Sequence, residues 1–234
     1  GCASTGAKVA LALAEIVSTE LKLAAELDKF FNVFGMKVRA IATAQYGVAS
    51  ARKLKVDPRL AEEFFGTLVR DVLRVSTKLA ASLQQAQQEN FNSIQGVCGA
   101  LLESAPEFEV YGAYCRSFSR VNKELKELCK CKSKGSLQSL WVPFSERHMG
   151  GESLCSALIK PVQRVPRYVI LLQSLRQTLE AEDPHHPDLA MVNETLSAIV
   201  RQASALNESI QTQERLRKIL GDDVPDQRQF ARTA

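Results

Sequence analysis

Glu20 is a carboxylate on the wrong side of its helix. At about 100° per residue, Leu13, Ile16, Val17, Leu23, Ala24, Leu27, Phe30, Phe31 and Phe34 gather in one apolar arc, with Glu20 near its middle. Glu15, Lys22, Glu26 and Lys29 take the opposite side. An ionised carboxyl among Ile16, Leu23 and Leu27 is stable only if the arc is open there or if the carboxylate has hydrogen-bond partners. A second unusual set lies in LIKPVQRVPRYVILLQSL, residues 158–175. Leu154, Leu158, Val162, Val165, Tyr168, Val169, Leu172 and Leu175 account for a core face. Ile159, Lys160, Gln163, Arg167 and Ile170 are left on another, where Ile159, Gln163 and Arg167 stand one above another at four-residue steps. From periodicity alone such a row reads first as a solvated basic face with a stray isoleucine.

Covalent chemistry lacks its residues. No Ser-His-Asp arrangement is visible, and GTLVRDV and GVCGALLES lack the phosphate-cradling GxxxxGK[ST] pattern. His185 and His186 sit in the proline-bounded DPHHPD and read as solvated loop histidines. The six cysteines, at 2, 98, 115, 129, 131 and 155, show neither a disulfide framework nor zinc-ligand spacing and read as reduced thiols of a cytosolic protein. The expectation is no cofactor and no metal.

The elements that must position these residues are helices. No alternating apolar and polar segment is long enough to argue for a sheet, whereas helical periodicity recurs from end to end. The pattern predicts an all-α, elongated bundle of about six long helices: roughly 8–46, bent near Gly35; 59–88, with Pro58 at its start; 90–103; 107–130; 153–181, kinked at Pro166 without ending there; and one beginning near 187. A short helix and a loop fill 137–152. With 234 residues, 45% hydrophobic and 24% charged, the chain can bury a substantial core. A net charge of +4 permits an acidic protein surface or an anionic membrane as partner but is too weak to imply nucleic acid. No secretory signal and no membrane-spanning apolar run are visible, so a cytoplasmic protein, open to recruitment to a membrane, is expected.

KPVQRVPRY resembles the third conserved region of the Dbl homology (DH) domain, the exchange module of guanine nucleotide exchange factors for Rho-family GTPases (RhoGEF). Lysine-proline, glutamine-arginine and a basic-tyrosine pair stand at that family's spacing, followed by an aliphatic run. IVSTELKLAAEL resembles the first conserved region through Thr19-Glu20, although Leu21 and Leu23 stand where an arginine and a tyrosine commonly follow. EEFFGTLVRDVL and the stretch around Tyr111 and Tyr114-Cys115 resemble the intervening helices, and ALNESI the asparagine-glutamate signature of the last, here Asn207-Glu208. The resemblance covers about residues 8–220. It implies an N-terminal tail over 1–7 and a linker over 221–234 leading to a pleckstrin homology (PH) domain that this sequence does not contain.

What the resemblance implies about function is specific. Glu20 would accept hydrogen bonds from switch I of a docked Rho-family small GTPase, Rac-like or Rho-like. Arg167 would donate to main-chain carbonyls of switch II, and Asn207 would hydrogen-bond its far side. Ile159, Lys160, Gln163, Ile170, Glu208 and Glu214 would join the GTPase-binding surface. Exchange would need no covalent step, so the chain would not be an enzyme in the hydrolytic sense, and any membrane contact would be indirect, through the adjacent PH domain. The alternative is a catalytically degenerate DH-like scaffold that binds a GTPase or another partner without exchange.

Overall fold

The structure, a computed structural model, describes residues 5–43, 54–90, 93–131 and 133–220, and all its regular elements there are helical. α1 (Thr5–Lys29) passes through a π-helical segment (Phe30–Gly35) into α2 (Met36–Ala42). α3 (Pro58–Glu62) passes through a second π segment (Glu63–Leu68) into α4 (Val69–Glu89). α5 (Ile94–Ser104) leads through a 3₁₀ turn (Ala105–Phe108) into α6 (Glu109–Lys130); α7 (Leu137–His148), α8 (Leu154–Glu182) and α9 (Leu189–Leu220) follow. The all-α bundle is as the periodicity predicts. The first helix begins at Thr5, inside the stretch expected to be a tail, and the bend expected near Gly35 is a π segment. The linker expected over 221–234 lies outside the described residues.

Local chemistry starts the helices where the sequence says. Asp57 Oδ1 accepts from the main-chain nitrogens of Arg59 (2.8 Å) and Leu60 (3.1 Å), with Pro58 in the first turn. Ser93, Ser136 and Ser153 cap α5, α7 and α8 in the same way; each such cap contributes about 1 kcal/mol. Between α7 and α8 the chain turns through Gly150 (φ 63°) and Gly151 (φ 77°), conformations that a side chain disfavours. Pro161 and Pro166 both lie within α8, which continues past them to Glu182.

The core holds an aromatic cluster. Trp141 packs edge-on against Phe34 at 5.0 Å and donates its Nε1–H to the main-chain oxygen of Glu152 at 2.8 Å, fixing α7 and the turn before α8. Phe30 stacks on Phe65, and a Cβ on Gly35 would lie 2.8 Å from the main-chain oxygen of Phe65. Main chain cannot step aside as a side chain can. Gly35→Ala is therefore expected to lower the urea midpoint by the equivalent of about 1–3 kcal/mol, despite alanine's better helix propensity; an unchanged or raised midpoint would show that the two π segments can move apart.

Candidate functional site

α1 and α8 run antiparallel, and three ion pairs join them like rungs, because falling numbers on α8 meet rising numbers on α1. Arg167 pairs with Glu15 at the exposed edge, Arg164 with Glu20 at 2.6 Å in the interior, and Lys160 with Glu26 at 2.7 Å in the half-buried region beyond. Between the two helices opens a groove of about 760 Å³ lined by Thr19, Lys22, Leu23, Gln163, Arg167 and Ile170, among others.

The middle rung corrects an expectation. Glu20 was expected to present its carboxylate to a partner, and in this structure it is fully buried, at 0% exposure. The apolar arc is closed around it and the carboxylate is satisfied from inside. Ser76 of α4 donates to Oε1 at 2.5 Å, while Arg164 Nε and the Tyr168 hydroxyl of α8 both donate to Oε2. The Arg164 guanidinium, on a residue only 7% exposed, also lies over the Tyr168 ring at 4.5 Å. Burial, and next the Glu20 charge, push the Tyr168 hydroxyl well above its usual pKa, so it stays protonated and can donate. A charge so deep holds because its opposite charge and its hydrogen bonds are supplied together.

The outer rung is accessible to solvent. The Glu15 and Arg167 side chains are 40% and 49% exposed, which makes Glu15 the α1 carboxylate beside the Arg167 row. Sequence reasoning missed it because it stands on the ordinary polar side of α1. Gln163 and Ile170 are exposed along the same stretch of α8, and Ile159 is 36% exposed. Lys160 is already engaged, donating to Glu26 and, at 2.6 Å, to Glu152 in the turn before α8. These two contacts outweigh the opposing effect of burial and raise its pKa. Lys160 thus ties that turn to α1 and has less freedom to meet a partner than the sequence implied.

The third helix is α9. The short connection from α8 makes the two antiparallel, and Arg167 and Asn207 stand at comparable distances along them from that connection. Asn207 and Glu208 are exposed, while Leu206 turns inward against Gly112 of α6. The side chain of Glu214 lies outside the described residues. Among the described residues there is no cluster of side chains able to hold a metal ion, and no helix is long and apolar enough to cross a membrane.

This arrangement has known counterparts. The family model described as RhoGEF domain matches residues 12–207. The human "Phosphatidylinositol 3,4,5-trisphosphate-dependent Rac exchanger 2 protein" is 25% identical over 207 residues, covering 87% of this chain and 12% of that protein. "Rac guanine nucleotide exchange factor B" of Dictyostelium discoideum is 30% identical over 145 residues, covering 57% of this chain and 12% of its own length. The chain thus spans about an eighth of each. Among solved structures, one of the Vav1 exchange factor is similar at a TM-score of 0.72 and 21% identity, covering 95% of this chain and 56% of that one. The complex of the PDZ-RhoGEF DH/PH domains with GTP-γ-S-activated RhoA is similar at 0.68 and 13% identity, covering 92% and 57%. At these identities the solved structures speak to fold alone. The family match runs from α1, through the whole of α8, to Asn207 on α9, and on that ground the chain belongs to the RhoGEF (Dbl homology) domain family.

Proposed function

We propose that the domain is a guanine nucleotide exchange factor for a Rho-family GTPase of the Rac or Rho type, and that it docks its substrate on the face shared by α1, α8 and α9. The observation that carries this is the exposed Glu15–Arg167 pair beside Gln163 and Ile170, an acceptor and donors set in an apolar surround. The role that the resemblance assigned to Glu20 requires an accessible carboxylate on α1 next to Arg167. Glu15 meets that requirement, and we assign it the contact with switch I. Arg167 and Asn207 address switch II, with Gln163 in the same row and Ile159, Ile170 and Glu208 at the margins. Glu20 becomes a positioning residue, holding α1 and α8 in the register that brings Glu15 to Arg167.

The mechanism is differential binding. A surface that fits the nucleotide-free GTPase better than the loaded one lowers the barrier to GDP release, and a preference of about 5 kcal/mol shifts the equilibrium by roughly 10⁴. GTP, entering the emptied site, reverses the preference and ends the contact.

Release of a fluorescent GDP analogue from a panel of Rho-family GTPases tests the reading, with Rac first because several similar proteins are named as Rac exchangers. Accelerated release from at least one member, by a factor of ten or more at micromolar domain, is the expected result. Binding to a nucleotide-free member without acceleration from any would favour a docking scaffold.

A further inference from the structure

Among the described residues seven large apolar side chains are exposed. Single exposed apolar residues are ordinary on a folded protein, but four of these seven, Leu11, Ile159, Ile170 and Val200, stand on the three helices of the docking face. Leu11, 67% exposed, precedes Glu15 by one turn of α1, and Ile170, 55% exposed, follows Arg167 by one turn of α8. They are the two most exposed of the set. Because the Glu15–Arg167 ion pair joins antiparallel helices, a turn back along α1 and a turn on along α8 reach the same level. Val200 precedes Asn207 by two turns and so shares its side of α9. Ile170 stands 12 residues before the end of α8 and Val200 11 residues after the start of α9, so the short connection between the helices brings these two level as well. Leu11, Ile170 and Val200 thus make an apolar row across α1, α8 and α9, beside the polar row of Glu15, Arg167 and Asn207 and nearer the α8–α9 connection.

We propose that this row anchors the docked Rho-family GTPase, which covers it with an aliphatic or aromatic patch of its own; the proposal rests on the exchange reading above. The polar row alone is a weak source of affinity, because each of its groups gives up water to meet a partner. Leucine and isoleucine side chains leave water on docking without that cost, and their burial is the larger gain. The row continues the polar docking row on the same three helices, which favours the same occupant for both. A protein suits the face better than an anionic membrane does, since the Glu15 and Glu208 carboxylates are open to solvent on it. Apolar burial gains the same whether or not the GTPase holds nucleotide. The row therefore adds affinity, and the discrimination that drives GDP release stays with Glu15, Arg167 and Asn207.

Leu11→Ala, Ile170→Ala, the double variant and Met36→Ala are compared with the parent chain in release of a fluorescent GDP analogue from the GTPase that the parent accelerates most. Met36 is comparably exposed but lies on α2, off the docking face. The expected result is a KM raised about tenfold by each single change and about a hundredfold by the pair, with kcat and the melts close to the parent's and no effect of Met36→Ala. Single variants with the parent's KM, beside an Arg167→Glu chain that has lost exchange, would overturn the row and leave the exchange reading standing. A parent that accelerates no member of the panel would overturn both. A lower kcat at an unchanged KM would also sink the proposal, because it marks groups that act only in the transition state. The same holds for a parent that sediments as a dimer dispersed by the double variant, which would make a second copy the occupant, or one that pellets with phosphatidylserine vesicles only while Leu11 and Ile170 are present.

Discussion

Glu20→Ala is expected to destabilise the domain by about 3–5 kcal/mol, the cost of removing one partner from a buried ion pair. The substitution leaves the Arg164 guanidinium almost wholly enclosed without its carboxylate, and takes the acceptor from the Ser76 and Tyr168 hydroxyls at the same time. A loss of that size is a large part of a typical domain's stability, so urea unfolding should show a much lower midpoint at an unchanged slope. The double variant Glu20→Leu, Arg164→Met removes both charges and should recover most of the loss, since a buried pair replaced by apolar groups of similar volume is often close to neutral. If Glu20→Ala melts like the parent, water reaches the carboxylate and the description of a closed interior pair is wrong.

The second large effect falls on exchange and spares the fold. Arg167→Glu sets two carboxylates against each other at the edge of the groove and removes the donor proposed for switch II. Exchange acceleration should fall at least about 100-fold, equivalent to roughly 2.7 kcal/mol of transition-state stabilisation. The melt should move little, because an exposed ion pair contributes only about 0–1 kcal/mol. Combining it with Glu15→Arg restores an ion pair of reversed polarity. If the pair only braces α1 against α8, the swap should rescue exchange; if each member meets its own group on the GTPase, exchange stays lost. Rescue would count against the assignment of Glu15 and Arg167 as contact residues.

Much of this was legible in the sequence, for reasons that also explain what was not. Helical spacing alone marked Glu20 as anomalous, but a carboxylate in an apolar arc reads the same whether its partner is another protein or an arginine 144 positions away. The signal that separates the two cases was present on α8. Arg164 stands one turn before Tyr168 on the core side, a second misplaced charge of opposite sign. Two such anomalies in one bundle satisfy each other at least cost when they pair. Glu15 gave no signal, since a glutamate on a polar face is what any surface helix carries. Its importance comes from the antiparallel register of α1 and α8, a tertiary fact that periodicity within one helix does not contain.

The two π segments have a consequence for how the chain tolerates change in length. Buried positions run Phe30, Phe34, Val38, Ala42 in one helix and Leu60, Phe64, Leu68, Val72 in the other, each in steps of four. In an unbroken α-helix every such step overshoots a turn by about 40°, so three steps would carry the stripe about 120° out of the core. The wider turn of a π segment absorbs that overshoot. Each segment therefore stores one residue of phase, much as a leap day keeps a calendar aligned with the seasons. Deleting a single residue from within Phe30–Gly35 would therefore leave an ordinary α-helix with Val38 and Ala42 still facing the aromatic cluster, whereas the same deletion in the regular part of α4 would swing every residue beyond it by about 100°.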